Sequence, residues 1–385
     1  MDISATADAT VTGRGYPRVP VDFSRSPFIV IWEVTRACAL ACVHCRADAI
    51  AFRDPRELTT AEGCALIDRV RSFGEPPPLF VLTGGDPMRR PDLVDLVSHA
   101  VGAGLTVALT PSGTAAVTRK RLTELRDAGL GRVAISLDGP DAGTHDSFRR
   151  VRGSYDRTMQ IIEAAMDLGI PLQINTTLGR LTYPHFPALV DRVRELPVVL
   201  WAVFFLIATG RGAALEQITA DECEDVLRLL HDLAPTVPFG IKTTEAPHFH
   251  RVALQRGGSL DNAPPAAESF RRRSSPDGLR QLAPPLRSRR AVTDGNGFLF
   301  IDHAGQICPS GFLPMPCGNV RQDSLVEVYR GHELFVRLRD PNALEGKCGR
   351  CEYRTVCGGS RARAYFATGS PCGSDPLCAY EPARS

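Results

Sequence analysis

Apolar residues recur along the chain in two alternating rhythms. Short, nearly unbroken runs fall at residues 28–34, 79–82, 105–109, 132–137, 172–177 and 198–206. Such runs predict buried strands. Between them, apolar residues return every three or four positions and predict amphipathic helices at about 58–70, 92–101, 118–127, 155–168, 184–194 and 219–232. Thr59 and Thr219 stand ahead of acidic first turns as N-caps. Strands that alternate with helices imply a parallel sheet with helices covering it. Six units are too few to close an eight-fold barrel, and in barrels the reactive residues gather at the C-terminal ends of the strands.

The rhythm stops near residue 251. From there to 290 Pro, Ser, Gly and Arg dominate, with basic runs at Arg271–Arg273 and Arg287–Arg290. This stretch reads as a solvated linker or a basic lid over an anionic substrate. An apolar pattern resumes at 298–309 as a β-hairpin turning at His303-Ala304-Gly305, followed by a short helix near 325–329. The expected organisation is an extended lead-in (1–25), a strand–helix domain (26–245), a Pro/Arg-rich linker or flap (246–290) and a small cysteine-rich α+β domain (291–385).

Composition adds exclusions. A net charge of +2 over 385 residues exerts no general pull on nucleic acid or anionic membranes. No secretory signal and no membrane-length apolar run is present, so the cytoplasm is the expected compartment. Twelve cysteines, clustered in such a chain, read as metal ligands rather than disulfides. Cys38, Cys42 and Cys45 follow the first strand at x3 and x2 spacing, so one short loop can turn three thiolates toward one object. Thiolates favour iron–sulfur clusters, zinc or Cu(I). A four-iron cluster held by three of them keeps one iron open for chemistry, whereas a zinc knuckle would borrow a fourth ligand such as His44.

CxxxCxxC after a first strand resembles the radical S-adenosylmethionine (SAM) superfamily. The resemblance implies an open six-unit (βα)6 partial TIM barrel. It also implies a 4Fe–4S cluster on Cys38, Cys42 and Cys45 whose open iron binds SAM, and reductive cleavage of SAM to a 5′-deoxyadenosyl radical that abstracts hydrogen from substrate. Gly84-Gly85-Asp86, after the second strand, resembles the motif whose backbone binds the SAM amino group, with Asp in place of the usual Glu. Ser136 and Asp138, at the end of strand four, are expected near the ribose and Arg149 near the SAM carboxylate. Asn175, read as the end of strand five, is a further ribose candidate, and His44 is expected by the adenine. Arg211, in Gly210-Arg211-Gly212, is a candidate for substrate carboxylates.

At the other end, Cys348, Cys351 and Cys357 are followed by Cys372 and Cys378. By spacing alone a zinc ribbon competes with an iron–sulfur site. Together with the hairpin, Gly318-Asn319-Val320-Arg321 and Asp375-Pro376-Leu377-Cys378, they resemble the SPASM/twitch domain. That implies one auxiliary 4Fe–4S cluster on Cys348, Cys351, Cys357 and Cys378. Many relatives carry another cysteine where this chain has Ser360. A second auxiliary cluster would then have to draw on Cys308, Cys317 and Cys372. Cys64 and Cys223, on predicted helices, are expected to be small buried hydrophobes.

The whole resembles most the branch of haem d1 and alternative haem biosynthesis, which acts on tetrapyrrole side chains. This implies an oxidoreductase or lyase fed by ferredoxin or flavodoxin, with a small-molecule substrate. The alternatives are a maturase of a ribosomally made peptide, against which the short polar lead-in speaks, and a non-catalytic metal-binding scaffold.

Overall fold

The computed structural model describes residues 22–257 and 291–383. Most of the expected lead-in and both Arg-rich runs of the expected flap lie outside the described residues. In the first part the strands are β1 (Ile29–Glu33), β2 (Leu79–Thr83), β3 (Val107–Leu109), β4 (Arg132–Ser136), β5 (Leu172–Leu178), β6 (Leu200–Phe205) and β7 (Gly240–Thr244). The helices are α1 (Thr60–Arg71), α2 (Leu93–Gly102), α3 (Arg119–Asp127), α4 (Ala142–Arg149), α5 (Ser154–Asp167), α6 (Phe186–Arg194), α7 (Ala220–Leu233) and α8 (His248–Gln255). The second part holds β8 (Phe298–Ile301), β9 (Gln306–Cys308), β10 (Gly318–Asn319), α9 (Leu325–Gly331), α10 (Glu333–Arg339), α11 (Gly346–Arg350) and α12 (Arg361–Thr368).

All ten strands form one sheet in the order β10-β9-β8-β1-β2-β3-β4-β5-β6-β7. Neighbours from β8 through β1 to β7 are parallel, and β8-β9-β10 are antiparallel. The six expected strands are all present in a parallel partial barrel wrapped by helices. Two pairings go beyond the sequence reading. A seventh strand, β7, follows β6, and the C-terminal hairpin docks parallel to β1 through Ile29↔Phe298 to Trp32↔Ile301. The cysteine-rich part is therefore continuous with the barrel sheet.

Alternation sorts each strand between two faces. Val30, Trp32, Phe80, Leu82, Val133, Ile135, Ile174, Trp201 and Val203 enter the main core under the helices. Gly63 on α1 admits the Trp32 ring, because a Cβ there would lie 2.7 Å from it. Thr59 and Thr219 each close a complete capping box, on Glu62 and Glu222, as the sequence led one to expect. On the opposite face Ile29, Val81 and Ala108 form a small apolar floor with Ile31 and Phe298 beside them. Above that floor the hollow side of the strands carries Glu33, Ser136, Gln173, Asn175, Thr177 and Lys242.

The segment expected to begin a linker at residue 246 starts instead as α8, with Arg251 buried against Glu224. In the hairpin turn His303 reaches back to Glu33 on β1 and to Asp54, at 3.2 and 3.3 Å. Among the described residues no helix is long and apolar enough to cross a membrane.

Candidate active site

The loop carrying Cys38, Cys42 and Cys45 crosses the C-terminal ends of the strands and is clamped from two sides. On one side Gly85 N donates to Thr35 O at 2.8 Å and Asp86 N to Ala37 O at 2.7 Å. A Cβ on Gly84 would fall 2.4 Å from Thr35 O, and one on Gly85 2.5 Å from Arg36 O. Both glycines are thus required by the approach of one backbone to another. On the other side Arg211 donates from its backbone N to Cys45 O and from Nε to Cys42 O, both at 3.0 Å, and from Nη1 to Ala49 O at 3.2 Å. Gly210 has φ +53°, and a Cβ there would strike Arg46 O at 2.4 Å. Arg211, expected to meet substrate, braces the cysteine loop.

Each of the three sulfurs has a donor. Cys38 Sγ accepts from Leu40 N at 3.3 Å and lies 3.4 Å from Ser112 Oγ. Cys45 Sγ accepts from Ala49 N at 3.4 Å, and Cys42 Sγ faces Arg149 Nη1 at 3.6 Å. Burial pushes the Cys38 thiol up, while the bonds from Ser112 and Leu40 act the other way. Such donors favour thiolate over thiol and suit an anionic cluster. Among the described residues no three potential ligands close around a single ion. A four-iron cubane, whose irons take one thiolate each, asks for no such closure.

Around the sulfurs the expected SAM contacts divide. Asp86 is buried, with Oδ1 accepting from Met88 N and Ser112 N and Oδ2 from Thr114 Oγ1 at 2.6 Å. Its carboxylate organises the loops after β2 and β3 and has no oxygen left idle; the expected contact of this motif with SAM is through its backbone. Asp138 is likewise committed. Oδ2 takes two bonds from Arg149, one of them Nε at 2.7 Å, and Oδ1 accepts from Thr177 N at 2.7 Å. Burial works against that carboxylate's charge, but Arg149 holds its pKa below the usual range. The His44 ring stacks on Phe148, 4.3 Å between centroids and 12° from parallel. Burial and then Arg149 push its pKa down to about 3, so the ring is neutral, and its Nδ1 has no partner. Ser136 keeps a half-buried hydroxyl without a partner among the described residues. Asn175 pairs with Ser136 across β4 and β5 and accepts from Gln173 Nε2 at 2.6 Å. It lies inside β5, three residues short of the strand's end.

A conserved-domain profile described as the radical SAM superfamily matches residues 32–193, the span that carries this loop and these strand ends. An AdoMet-dependent heme synthase of Oleidesulfovibrio alaskensis is 40% identical over 370 residues, 96% of this chain and 91% of that protein. This chain belongs to the radical SAM superfamily. An Fe-coproporphyrin III synthase of Methanosarcina barkeri is 28% identical over 97% of the chain and 94% of its own length. Among solved structures, Streptococcus suis SuiB bound to S-adenosylmethionine superposes with a TM-score of 0.69. It is 15% identical and covers 92% of this chain and 78% of that one, a likeness of fold. As a radical SAM enzyme the protein uses a 4Fe–4S cluster and SAM.

The second cysteine site of this radical SAM chain lies beyond the hairpin. Cys348 Sγ accepts from Asp375 N at 3.5 Å and Arg361 Nη2 at 3.7 Å, and Cys357 Sγ from Gly359 N at 3.4 Å. His248 from α8 lies 3.2 Å from Asp375. Burial alone would lower its pKa, but Asp375 and Cys378 raise it to about 9. The Cys378 thiol falls below its ordinary value despite burial, because the His248 ring lies beside it. Cationic Arg361 and His248 thus flank Cys348 and Cys378. Ser360 caps α12 by accepting from Arg363 N at 3.0 Å and bonds Glu245 at the end of β7. Cys308 and Cys317 are neighbours across the β9–β10 turn, both pushed up to about 12 by burial, while Cys372 sits by Arg337 and Arg361. Cys223 is buried on α7 and Cys64 half-buried on α1, as expected of small hydrophobes.

Sequence reasoning passed over Ser112 and His248, and gave Arg361 and Asp375 no role of their own. The Pro111-Ser112-Gly113 turn just beyond the third apolar run was the one available signal for Ser112. His248 sits near no motif, whereas Asp375 belongs to the Asp375-Pro376-Leu377-Cys378 signature.

Proposed function

We propose that this radical SAM enzyme modifies a carboxylate-bearing side chain of a tetrapyrrole in haem-type biosynthesis. The observation that carries the reading is the 40% identity, spread over 96% of the chain, to an AdoMet-dependent heme synthase. In this reading Cys38, Cys42 and Cys45 hold the SAM-binding cluster. Cys348, Cys351, Cys357 and Cys378 hold one auxiliary 4Fe–4S cluster. Bound at the first site, the cluster with SAM supplies a 5′-deoxyadenosyl radical able to take hydrogen from an unactivated carbon.

The chain's own part is positioning. Gly84, Gly85 and Arg211 fix the loop, and Arg149, oriented by Asp138, presents a cation beside Cys42. Ser136 offers its free hydroxyl, and Asn175 its amide, to a ligand lying across the mouth. His44 offers the edge of a neutral ring. At the second site Arg361 and His248 offset the negative charge of four thiolates and their cluster. A ferredoxin or flavodoxin is the expected electron donor. Peptide maturation is the alternative, supported by 28% identity over 92% of the chain to a PqqA peptide cyclase of Bradyrhizobium diazoefficiens.

The test is anaerobic reconstitution, an iron count, and incubation with SAM, dithionite and an iron-coproporphyrin. About eight irons per chain, 5′-deoxyadenosine and a tetrapyrrole product of altered mass are expected. 5′-Deoxyadenosine without any change in the tetrapyrrole would overturn the substrate assignment. Absence of SAM cleavage by the folded, iron-loaded chain would overturn the reaction.

A further inference from the structure

Two cations inside the barrel are used by nothing described so far. Arg132 begins β4 and Lys242 lies in β7. On β4 the neighbours Val133 and Ile135 enter the helix-covered core, and on β7 Ile241 packs against the same core. Arg132 and Lys242 therefore point to the hollow side of the sheet. Their strands are separated by β5 and β6, yet Arg132 acts electrostatically on Lys242, which places the two charges toward each other across the hollow. Burial, and then Arg132, push the Lys242 ammonium down to about 8.

Among the described residues neither cation is hydrogen-bonded to a carboxylate, although Glu245 lies near enough to Lys242 to favour its charge. Arg132 Nε is buried with no hydrogen bond, and among the described residues neither side chain makes an ion pair. The carboxylates nearby are committed elsewhere: Glu33 to Arg46 at 2.6 Å and to His303, and Glu245 to Ser360. Both side chains are half-buried and Arg132 Nε is shielded from water, and charges so held without a partner are costly. A chain that keeps two of them in one hollow is built to receive an anion there.

The two stand at different levels relative to the expected SAM contacts. Lys242, on the last strand of the barrel, shares a lateral row with Ser136, Asn175 and Ala202 and so stands level with two of them. Arg132 lies four residues below Ser136, about 13 Å deeper at strand rise. The floor beside Arg132, from Ile29, Ile31, Val81 and Ala108, is apolar. A ligand with a flat apolar body and a carboxylate on one edge matches this floor and the two cations.

We infer that Arg132 and Lys242 form an anchoring site for a carboxylate of the organic substrate, held in the barrel while another part of the molecule reaches the radical. This rests on the tetrapyrrole reading and deepens it by naming the residues that grip a side-chain carboxylate. They are positioning residues for the reaction.

The test uses the full-length, cluster-loaded chain and equilibrium binding, followed by the Soret band. The probes are iron-coproporphyrin and its tetramethyl ester, and the proteins are wild type, Lys242→Met, Arg132→Met and Lys242→Arg. Wild type should prefer the acid to the ester by about tenfold or more. Each Met variant should lose that preference by weakening acid binding alone, Lys242→Arg should retain most of it, and SAM binding should be unchanged in all four. Met variants that keep the wild-type preference would overturn this inference and leave the tetrapyrrole reading standing. Met variants that lose SAM affinity instead would also overturn it, assigning the cations to SAM. Wild type that binds neither porphyrin would remove the tetrapyrrole reading and this site with it.

Discussion

Arg149 and Asp138 form a buried ion pair whose guanidinium also faces the sulfur of Cys42 at 3.6 Å. Both partners are almost wholly shielded from water, so each charge depends on the other. Arg149→Met would leave Asp138 with its backbone bond from Thr177 but no cation, and should destabilise the fold by about 3–5 kcal/mol in chemical denaturation. Adding Asp138→Asn to that variant should return at least about 1 kcal/mol, since no lone buried charge then remains. A double variant no more stable than Arg149→Met would show that the pair acts through packing rather than charge.

The glycines before Asp86 make a steric prediction. Gly85→Ala drives a methyl against Arg36 O and Ala37 O, both backbone atoms that cannot rotate away. The cysteine loop must shift as a unit, at about 1–3 kcal/mol, the usual range for overpacking. Because Cys38 follows Ala37 directly, the iron bound on reconstitution should fall more steeply than the melting temperature. Full iron content in Gly85→Ala would mean that the loop is less tightly coupled to this contact than the geometry indicates.

These two sites show what could be read before the fold was known. The strands β1 to β6 were legible because their outward faces are continuous apolar surface. Strand β7 was not: Gly-Ile-Lys-Thr-Thr has no apolar alternation, and only pairing with β6 makes it a strand. The docking of β8 on β1 joins residues some 270 positions apart, and no local pattern encodes it. Motif position correctly brought Cys38, Cys42, Cys45, Gly85, Ser136 and Arg149 to one end of the barrel. It could not tell which polar groups there were already partnered. Asp138 and Arg211 were read as available to a ligand, yet Asp138 is held by Arg149 and Thr177, and Arg211 spends all but its Nη2 on the cysteine loop.

Ser112 was passed over for the complementary reason, since only the Pro111-Ser112-Gly113 turn beyond a three-residue strand marks it. Its hydroxyl donates to Gly85 O at 2.6 Å and lies against Cys38 Sγ. Ser112→Ala should cost about 1 kcal/mol in denaturant stability. It should also speed iron loss to a chelator from the reconstituted protein, because the clamp that holds the Gly85 turn beside Cys38 is removed. Unchanged iron loss would confine Ser112 to a structural role.

The contact between the hairpin and the barrel carries a pH dependence. His303 lies between Glu33 and Asp54; burial opposes its charge, but Glu33 and Asp54 raise its pKa above the ordinary value near 6.5. A group whose folded pKa is raised contributes stability fully below its unfolded pKa and loses that contribution as pH climbs through the folded one. Glu33 behaves oppositely: burial would raise its pKa, but Arg46 and His303 bring it below the usual carboxylate value. Its contribution is present above about 4.5 and fades on acidification. The hairpin should therefore be held most firmly between these limits, near pH 5–6.5 on the reference values. Urea midpoints at pH 6 and pH 9 should differ more for wild type than for His303→Gln, which cannot titrate. Equal shifts in the two proteins would place the pH sensitivity outside this contact.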